Sequence, residues 1–254
     1  MLRKPMLNTV ALLVIFASAP LVFILLYFVT APYGRHFRDG WGPAIDARAS
    51  WFLMELPAMV VIAGIVLFDG RKPTLIAILM LCLWELHYVY RTCLFPLLMR
   101  DNGKRFPIVL IVFAAIFNSF NGYANGHFLS GFSLPAGAGV LTDVRLGIGV
   151  ALFLAGFITH VSTDHALRSL RKPGETGYRI PRGGLFDYVS SPNYFGEIAE
   201  WTGWALATWS LAGLAFAVFT IANLVPRAHA NRTWYLATFP DYPRERKRVI
   251  PFVY

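Results

Sequence analysis

Apolar runs recur along the chain near 6–29, 50–68, 73–98, 106–125 and 145–167, followed by a longer one over 194–226. About twenty helical residues cross the roughly 30 Å hydrocarbon core of a bilayer, and inside it every backbone N–H and C=O must find a partner within its own segment. The chain is therefore expected to be an all-α, polytopic membrane protein. Its 254 residues are 56% hydrophobic and only 15% charged, too apolar for a soluble domain. A single membrane domain over residues 1–254 is expected.

One helix over 194–226 would approach 50 Å at about 1.5 Å per residue, far beyond the core. Two helices with a turn near Ser210 to Gly213 fit better. Basic residues decide the same question independently. With seven helices, Arg3, Lys4, Arg71 and Lys72 lie on one side, and seventeen Lys and Arg residues lie on the other, including Arg100 and Lys104. With six helices the two sides carry ten and eleven. Only seven spans obey the positive-inside bias, which puts the N-terminus outside and leaves the C-terminus and a large loop between the fifth and sixth helices in the cytoplasm. A secretory signal with cleavage at Ala17-Ser18-Ala19 competes for the first run, but residues 5–34 carry no charge and the run continues to Val29, as a retained helix requires. Pro73, Pro107 and Pro135 punctuate helix starts and loops. The terminal stretch from Asn231 onward alternates basic and aromatic residues and reads as a membrane-surface segment.

Other classes fall away. The net charge of +9 sits in short loops and the tail, with no basic face backed by a soluble core, so nucleic acid is not an expected partner. Cys82 and Cys93 share one apolar segment and imply no disulfide framework. None of the six histidines lies in HExxH or paired Cys-His spacing, so no metal is expected. GxSxG, Walker and Rossmann motifs are also missing, which excludes the usual soluble nucleotide-binding folds.

What remains are polar groups where a membrane protein tolerates them only in a site or a buried contact. Glu55 interrupts the second run; it is either a structural hydrogen bond between helices or a carboxyl group that meets a substrate oxygen. The third run carries Trp84, Glu85, His87, Tyr88, Tyr90 and Arg91, with Trp84, Tyr88 and Arg91 on one side of the helix. His160, Asp164, Arg168 and Arg171 form one stripe at i, i+4, i+8 and i+11, in which Asp164 and Arg168 could be no more than an i,i+4 ion pair. Between Leu170 and Trp209 a loop with Arg171, Lys172, Arg179 and Arg182 can meet phosphates, and Gly174, Gly177, Gly183 and Gly184 admit close backbone approach. Asn193, Glu197 and Trp201 then share a helix face whose amide, carboxylate and indole suit a nicotinamide nucleoside better than lipid.

The strings RKPGE (171–175), YRIP (178–181), GGLFDYVSSPNYFGE (183–197) and EWTGWALATWS (200–210), with ELP at 55–57 and HYxxRT at 87–92, closely resemble the steroid 5-alpha-reductases. These are integral membrane enzymes that reduce the C4=C5 double bond of 3-oxo-delta-4 steroids with NADPH. The resemblance implies that Glu55 and Tyr88 hydrogen-bond the 3-oxo group, with Trp51 and Met54 beside the substrate; Met54 replaces a glutamine familiar in the family. It implies cofactor contacts at Arg105, His160, Asp164, Arg171, Tyr178, Arg179, Asn193, Glu197, Arg227 and Tyr235. His160 stands where the family has an asparagine, and Asn231 where it has a histidine. Rival readings are a trans-2-enoyl-CoA reductase of lipid elongation, an isoprenylcysteine-type methyltransferase and a proton-coupled transporter. Bacterial inner membrane and endoplasmic reticulum are not distinguished by sequence, and the oligomeric state is left open with a monomer sufficient.

Overall fold

A computed structural model of the chain describes residues 3–99, 103, 105–134, 143–171, 175 and 177–254. Arg100, Lys104, Pro135, Lys172 and Gly174 lie outside the described residues, as do the side chains of Arg3 and Lys4. The order is α1 (Arg3–Phe28), β1 (Ala44–Asp46), α2 (Ala47–Phe68), α3 (Leu75–Val89), α4 (Phe95–Leu98), β2 (Arg105–Pro107), α5 (Ile108–Leu129), α6 (Val144–Ser169), α7 (Pro192–Thr208) and α8 (Leu211–Thr238). A π-helical turn over Tyr90–Leu94 joins α3 to α4. Six of these helices are long and apolar enough to cross a membrane: α1 from Met6, α2, α3 through α4, α5, α6 and α8. The seventh span expected from the sequence corresponds to α7, whose 17 residues rise only about 26 Å, less than the roughly 30 Å core.

Helix ends follow local chemistry. The Asp46 carboxylate accepts from the amides of Arg48 and Ala49 at 2.9 and 3.0 Å, and Thr74 Oγ1 accepts from Ala77 while donating to the Phe132 carbonyl at 2.6 Å. The break between α7 and α8 falls in the expected turn: Trp209 adopts φ 49°, and Ser210 Oγ caps α8 by accepting from Gly213 N–H at 2.9 Å. Replacing this cap, Ser210→Ala, is expected to cost about 1 kcal/mol, read as a lower thermal unfolding temperature in detergent; an unchanged temperature would show that the turn, not the cap, sets the break.

The helices pack around an aromatic centre in which Trp84, Trp201, Trp204 and Phe216 are buried against one another. Trp84 Nε1 donates to the Ala58 carbonyl at 3.1 Å and Trp204 Nε1 to Asn125 at 2.9 Å, so both indoles keep their polar ends satisfied. Trp201 thus belongs to the core. The first helix packs into the bundle as well, with Ala11 and Ile15 against Ala124, Ala212 and Ala215.

The closest approach is between α6 and α7. A Cβ on Gly156 would lie 2.6 Å from the Gly196 carbonyl oxygen, and one on Gly203 would lie 2.6 Å from that of Gly149. Glycines on both helices let the two backbones touch, which sets the polar residues of α6 directly against those of α7.

The tail packs back onto the chain. Residues 231–238 continue α8, and the segment after it folds back against residues 188–191. Ser190 N–H donates to the Lys247 carbonyl at 2.9 Å and Lys247 N–H to that of Tyr188 at 2.8 Å. Arg246, buried, donates to the Pro181 carbonyl at 2.8 Å, and Arg232 donates to the carbonyls of Arg246 and Arg244. Arg232 and Arg246 thereby donate to backbone carbonyls, while Arg248 donates to His229 Nδ1 at 2.9 Å.

Candidate active site

Glu55 projects from α2 toward α5, where Asn118 donates both to its Oε2 at 3.1 Å and to the Met54 carbonyl at 2.7 Å. The other oxygen faces Arg91 Nη2 at 3.9 Å. Arg91 belongs to the π turn, a local widening of the helix that redirects a side chain without breaking the element. Its guanidinium lies 4.3 Å over the Trp51 ring and 4.9 Å over Phe95, and its Nη1 is 3.9 Å from Asp164 Oδ2. Tyr88, one turn before Arg91, is buried against Trp84 and Trp201 and lies within electrostatic range of Glu55 and Glu197.

From Asp164 the polar cluster continues through α6 and α7. Asp164 Oδ1 accepts from Asn193 Nδ2 at 3.1 Å, and its Oδ2 faces His160 Nε2 at 3.4 Å. His160 Nδ1 faces Glu200 Oε2 at 3.5 Å, and Glu200 Oε1 is 2.8 Å from His87 Nδ1. Glu197 Oε2 lies 3.9 Å from His160 Nε2. Arg168 does not serve as a simple partner of Asp164: its guanidinium donates to the Tyr90 hydroxyl at 3.0 Å, and that hydroxyl reaches Asp164 at 3.5 Å.

Asn193 also lines a pocket of about 130 Å³ with Arg35, His36, Arg227, Asn231 and Tyr235. Arg35 lies 4.7 to 5.2 Å over the rings of Tyr235, Trp234 and Tyr178, and its Nη1 is buried without a hydrogen-bond partner. Arg227 rests over Tyr33 and Tyr194 at 5.0 and 5.3 Å, with no carboxylate in ion-pair reach among the described residues. His36 bonds Asn231 at 3.2 Å; burial, reinforced by Arg35 and Arg38, holds its imidazole below the usual range although that bond works the other way. The pocket's positive charge therefore comes from guanidiniums, and a buried N–H without an acceptor is what an incoming phosphate oxygen would satisfy.

The residues singled out from sequence thus fall into groups. Trp51, Glu55, Tyr88, His160, Asp164, Asn193 and Glu197 gather in the buried cluster, and Arg227 and Tyr235 join Asn193 at the pocket. Tyr178 and Arg171 do not line the pocket but adjoin it through Arg35, which lies 5.2 Å over the Tyr178 ring, with Arg171 5.5 Å over the same ring. Three do not converge. Met54 turns into an apolar cluster with Phe106 and Ile111. Arg179 pairs with Glu175 at 2.9 Å on the exposed loop. Arg105 donates to the Ala44 carbonyl at 2.6 Å and lines a separate cavity of about 300 Å³ with Arg38 and Trp41.

Reading the sequence alone misses Asn118 and Arg35 as members of the site; it singles out Arg91 only for its place beside Trp84 and Tyr88 on the helix, and Asn231 only as the replacement of a histidine familiar in the family. Asn118 had a usable signal, since Asn118, Asn121 and Asn125 repeat at i, i+3 and i+7 on an otherwise apolar helix. Arg35 had none: an arginine in a polar loop looks the same whether it is free or clamped between rings. The polar side-chain atoms of His87, His160 and Glu200 come within 4.8 Å of one another across three helices, a grouping that linear spacing does not reveal.

Residues 104–254 match the family model of the 3-oxo-5-alpha-steroid 4-dehydrogenases. The chain is 45% identical over 231 residues to 3-oxo-5-alpha-steroid 4-dehydrogenase 1 of Rattus norvegicus, covering 89% of this chain and 87% of that protein. It is 42% identical over 247 residues to a steroid 5-alpha-reductase of Gossypium hirsutum, with 96% of each covered, and 42% identical over 224 residues to the Homo sapiens 3-oxo-5-alpha-steroid 4-dehydrogenase 1, covering 87% and 86%. Matches of this extent, over a chain with this buried polar site, mean that the protein belongs to the 3-oxo-5-alpha-steroid 4-dehydrogenase family.

Proposed function

We propose that the protein is an NADPH-dependent reductase of the C4=C5 double bond of 3-oxo-delta-4 steroids, embedded in the membrane with seven spans and with the loop before α7 and the C-terminus on the cytoplasmic side. The single observation that carries this reading is the position of Arg91, 3.9 Å from Glu55 on one side and 3.9 Å from Asp164 on the other. One guanidinium thereby joins the residues suited to a carbonyl substrate to those suited to a nicotinamide. The relatives named for steroid reduction supply the substrate class.

In this reading Glu55, as the acid, and Tyr88 donate hydrogen bonds to the steroid 3-oxo oxygen. Negative charge builds there as the beta carbon C5 is reduced, so these bonds strengthen toward the transition state. Asn118 fixes the Glu55 carboxyl group through the same side chain that holds the Met54 carbonyl. Arg91 adds a cation whose stacking on Trp51 limits its freedom. Asn193, Glu197 and Asp164 offer one amide and two carboxylates to a carboxamide and ribose, and Arg35 and Arg227 offer guanidiniums to the phosphates. When bound, the reduced nicotinamide supplies the hydride; the chain supplies placement and a site closed to bulk water.

The direct test is reduction of testosterone or progesterone with 4-deuterated NADPH. Label at C5 is expected, and consumption of NADPH without label there would overturn the reaction assigned. For the cofactor half, Arg227→Gln is expected to weaken NADPH binding about tenfold or more, the scale of a charge-assisted hydrogen bond. An unchanged dissociation constant would remove Arg227 from the site.

A further inference from the structure

His160 is in an unusual position for an imidazole. It is 1% exposed, and a carboxylate oxygen lies in ion-pair reach of each ring nitrogen: Glu200 Oε2 at 3.5 Å from Nδ1, where neither atom has a hydrogen-bond partner among the described residues, and Asp164 Oδ2 at 3.4 Å from Nε2, with Glu197 Oε2 at 3.9 Å from the same nitrogen. A neutral ring carries one N–H and would turn a lone pair toward an anion at the other nitrogen, whereas the imidazolium presents N–H on both sides. The surroundings supply the need for that charge. Facing it are His87 and Tyr90 from α3 and its π turn, Asp164 from α6, and Glu197 and Glu200 from α7, with Arg91 reached through Asp164. Glu55 of α2 is reached through Arg91, and Arg168 through Tyr90. With Glu55 protonated as the acid, three carboxylates meet two guanidiniums, which leaves one negative charge for a proton on a histidine to balance.

We infer that His160 is a specificity-determining residue for the redox state of the cofactor: as a fixed cation beside Asp164 and Glu197, it disfavours the positively charged oxidised nicotinamide relative to the neutral reduced one. This rests on the reading of Asp164, Asn193 and Glu197 as the nicotinamide contacts. A ring held by those residues lies within a side-chain length or two of the imidazolium, and two like charges at that separation in a poorly screened interior change an affinity by about tenfold or more. The consequence for turnover is release of the oxidised product without loss of grip on the reduced substrate.

The experiment measures dissociation constants of the full-length protein in detergent for NADPH, by its fluorescence, and for NADP⁺, by displacement of NADPH. His160→Asn and His160→Gln are expected to lower the ratio of the NADP⁺ constant to the NADPH constant about tenfold, and His160→Lys, which restores a cation, to keep it near the wild-type value. A loosened structure would weaken both nucleotides together and leave the ratio unmoved, so a ratio unchanged in His160→Asn overturns the inference, as does a Lys variant that behaves like the Asn variant. Should the variants fail to fold, magnetic resonance of the wild-type protein labelled with ¹⁵N histidine decides it: an imidazolium signature for His160 at neutral pH supports the inference and a neutral ring overturns it. Failure of the wild-type chain to bind either nucleotide would instead strike down the nicotinamide reading itself.

Discussion

Tyr88→Phe and Glu55→Gln are each expected to lower steroid turnover about 100-fold while leaving the NADPH dissociation constant within about twofold of wild type, the scale of losing one donor aimed at a developing oxyanion. The two halves of the site make the effects separable. Tyr88 is enclosed by Trp84, His87 and Trp201, so loss of its hydroxyl removes one polar atom and leaves the packing of its ring in place. Glu55→Gln keeps the volume and retains an acceptor for Asn118, so the anchor to α5 survives while the acid is lost. Neither residue lines the guanidinium pocket. Single-turnover and binding measurements together read the outcome: turnover near wild type in either variant would take that residue out of the mechanism, and a parallel loss of NADPH affinity would mean that the change had disturbed the bundle instead of the carbonyl contact.

How much of this was legible beforehand depends on whether the signal is carried along one helix or between helices. Apolar runs near 50–68 and 145–167 became α2 and α6 with ends shifted by a few residues, because hydrophobic length is a property of contiguous sequence. The α7–α8 break was legible for the same reason, since a 33-residue apolar run overshoots the bilayer and Ser210 and Gly213 mark a cap. The far end of α8 was not. Arg227, Asn231 and Arg232 look like the start of a polar tail, yet the helix continues to Thr238 because Tyr235 stacks on Tyr242 and Arg232 bonds the returning chain, contacts that depend on the fold being complete. The site divides likewise. His160 and Asp164, four residues apart, could be paired on paper. The bonds of Glu55 with Asn118 and of His87 with Glu200 join residues 63 and 113 positions apart, and no local pattern predicts which buried polar groups will meet.

The pairs that cross between α6 and α7, Asp164 with Asn193 and His160 with Glu197 and Glu200, need the two helices to come together without side chains between them, and Gly156→Ala is accordingly expected to be the most damaging small substitution outside the polar cluster. Its new methyl carbon would overlap the backbone at Gly196 and Glu200, and neither is the mobile end of a side chain that could swing aside. The helices must separate, at a cost of about 3 kcal/mol or more, the upper end for overpacking a tight contact. Separation at this point also draws Asn193 away from Asp164 and Glu197 and Glu200 away from His160, so cofactor affinity should fall along with stability. Gly147 supplies the control, since it lies on the same helix and a Cβ there meets nothing within 4 Å. Gly147→Ala should be neutral, or stabilise by about 0.5–1 kcal/mol through the helix preference of alanine. Thermal unfolding and NADPH titration of the two variants side by side separate close packing from helix propensity. Equal stability and affinity in both would mean that the glycines of α6 do not set the geometry of the site, and that its polar pairs are held by the hydrogen bonds alone.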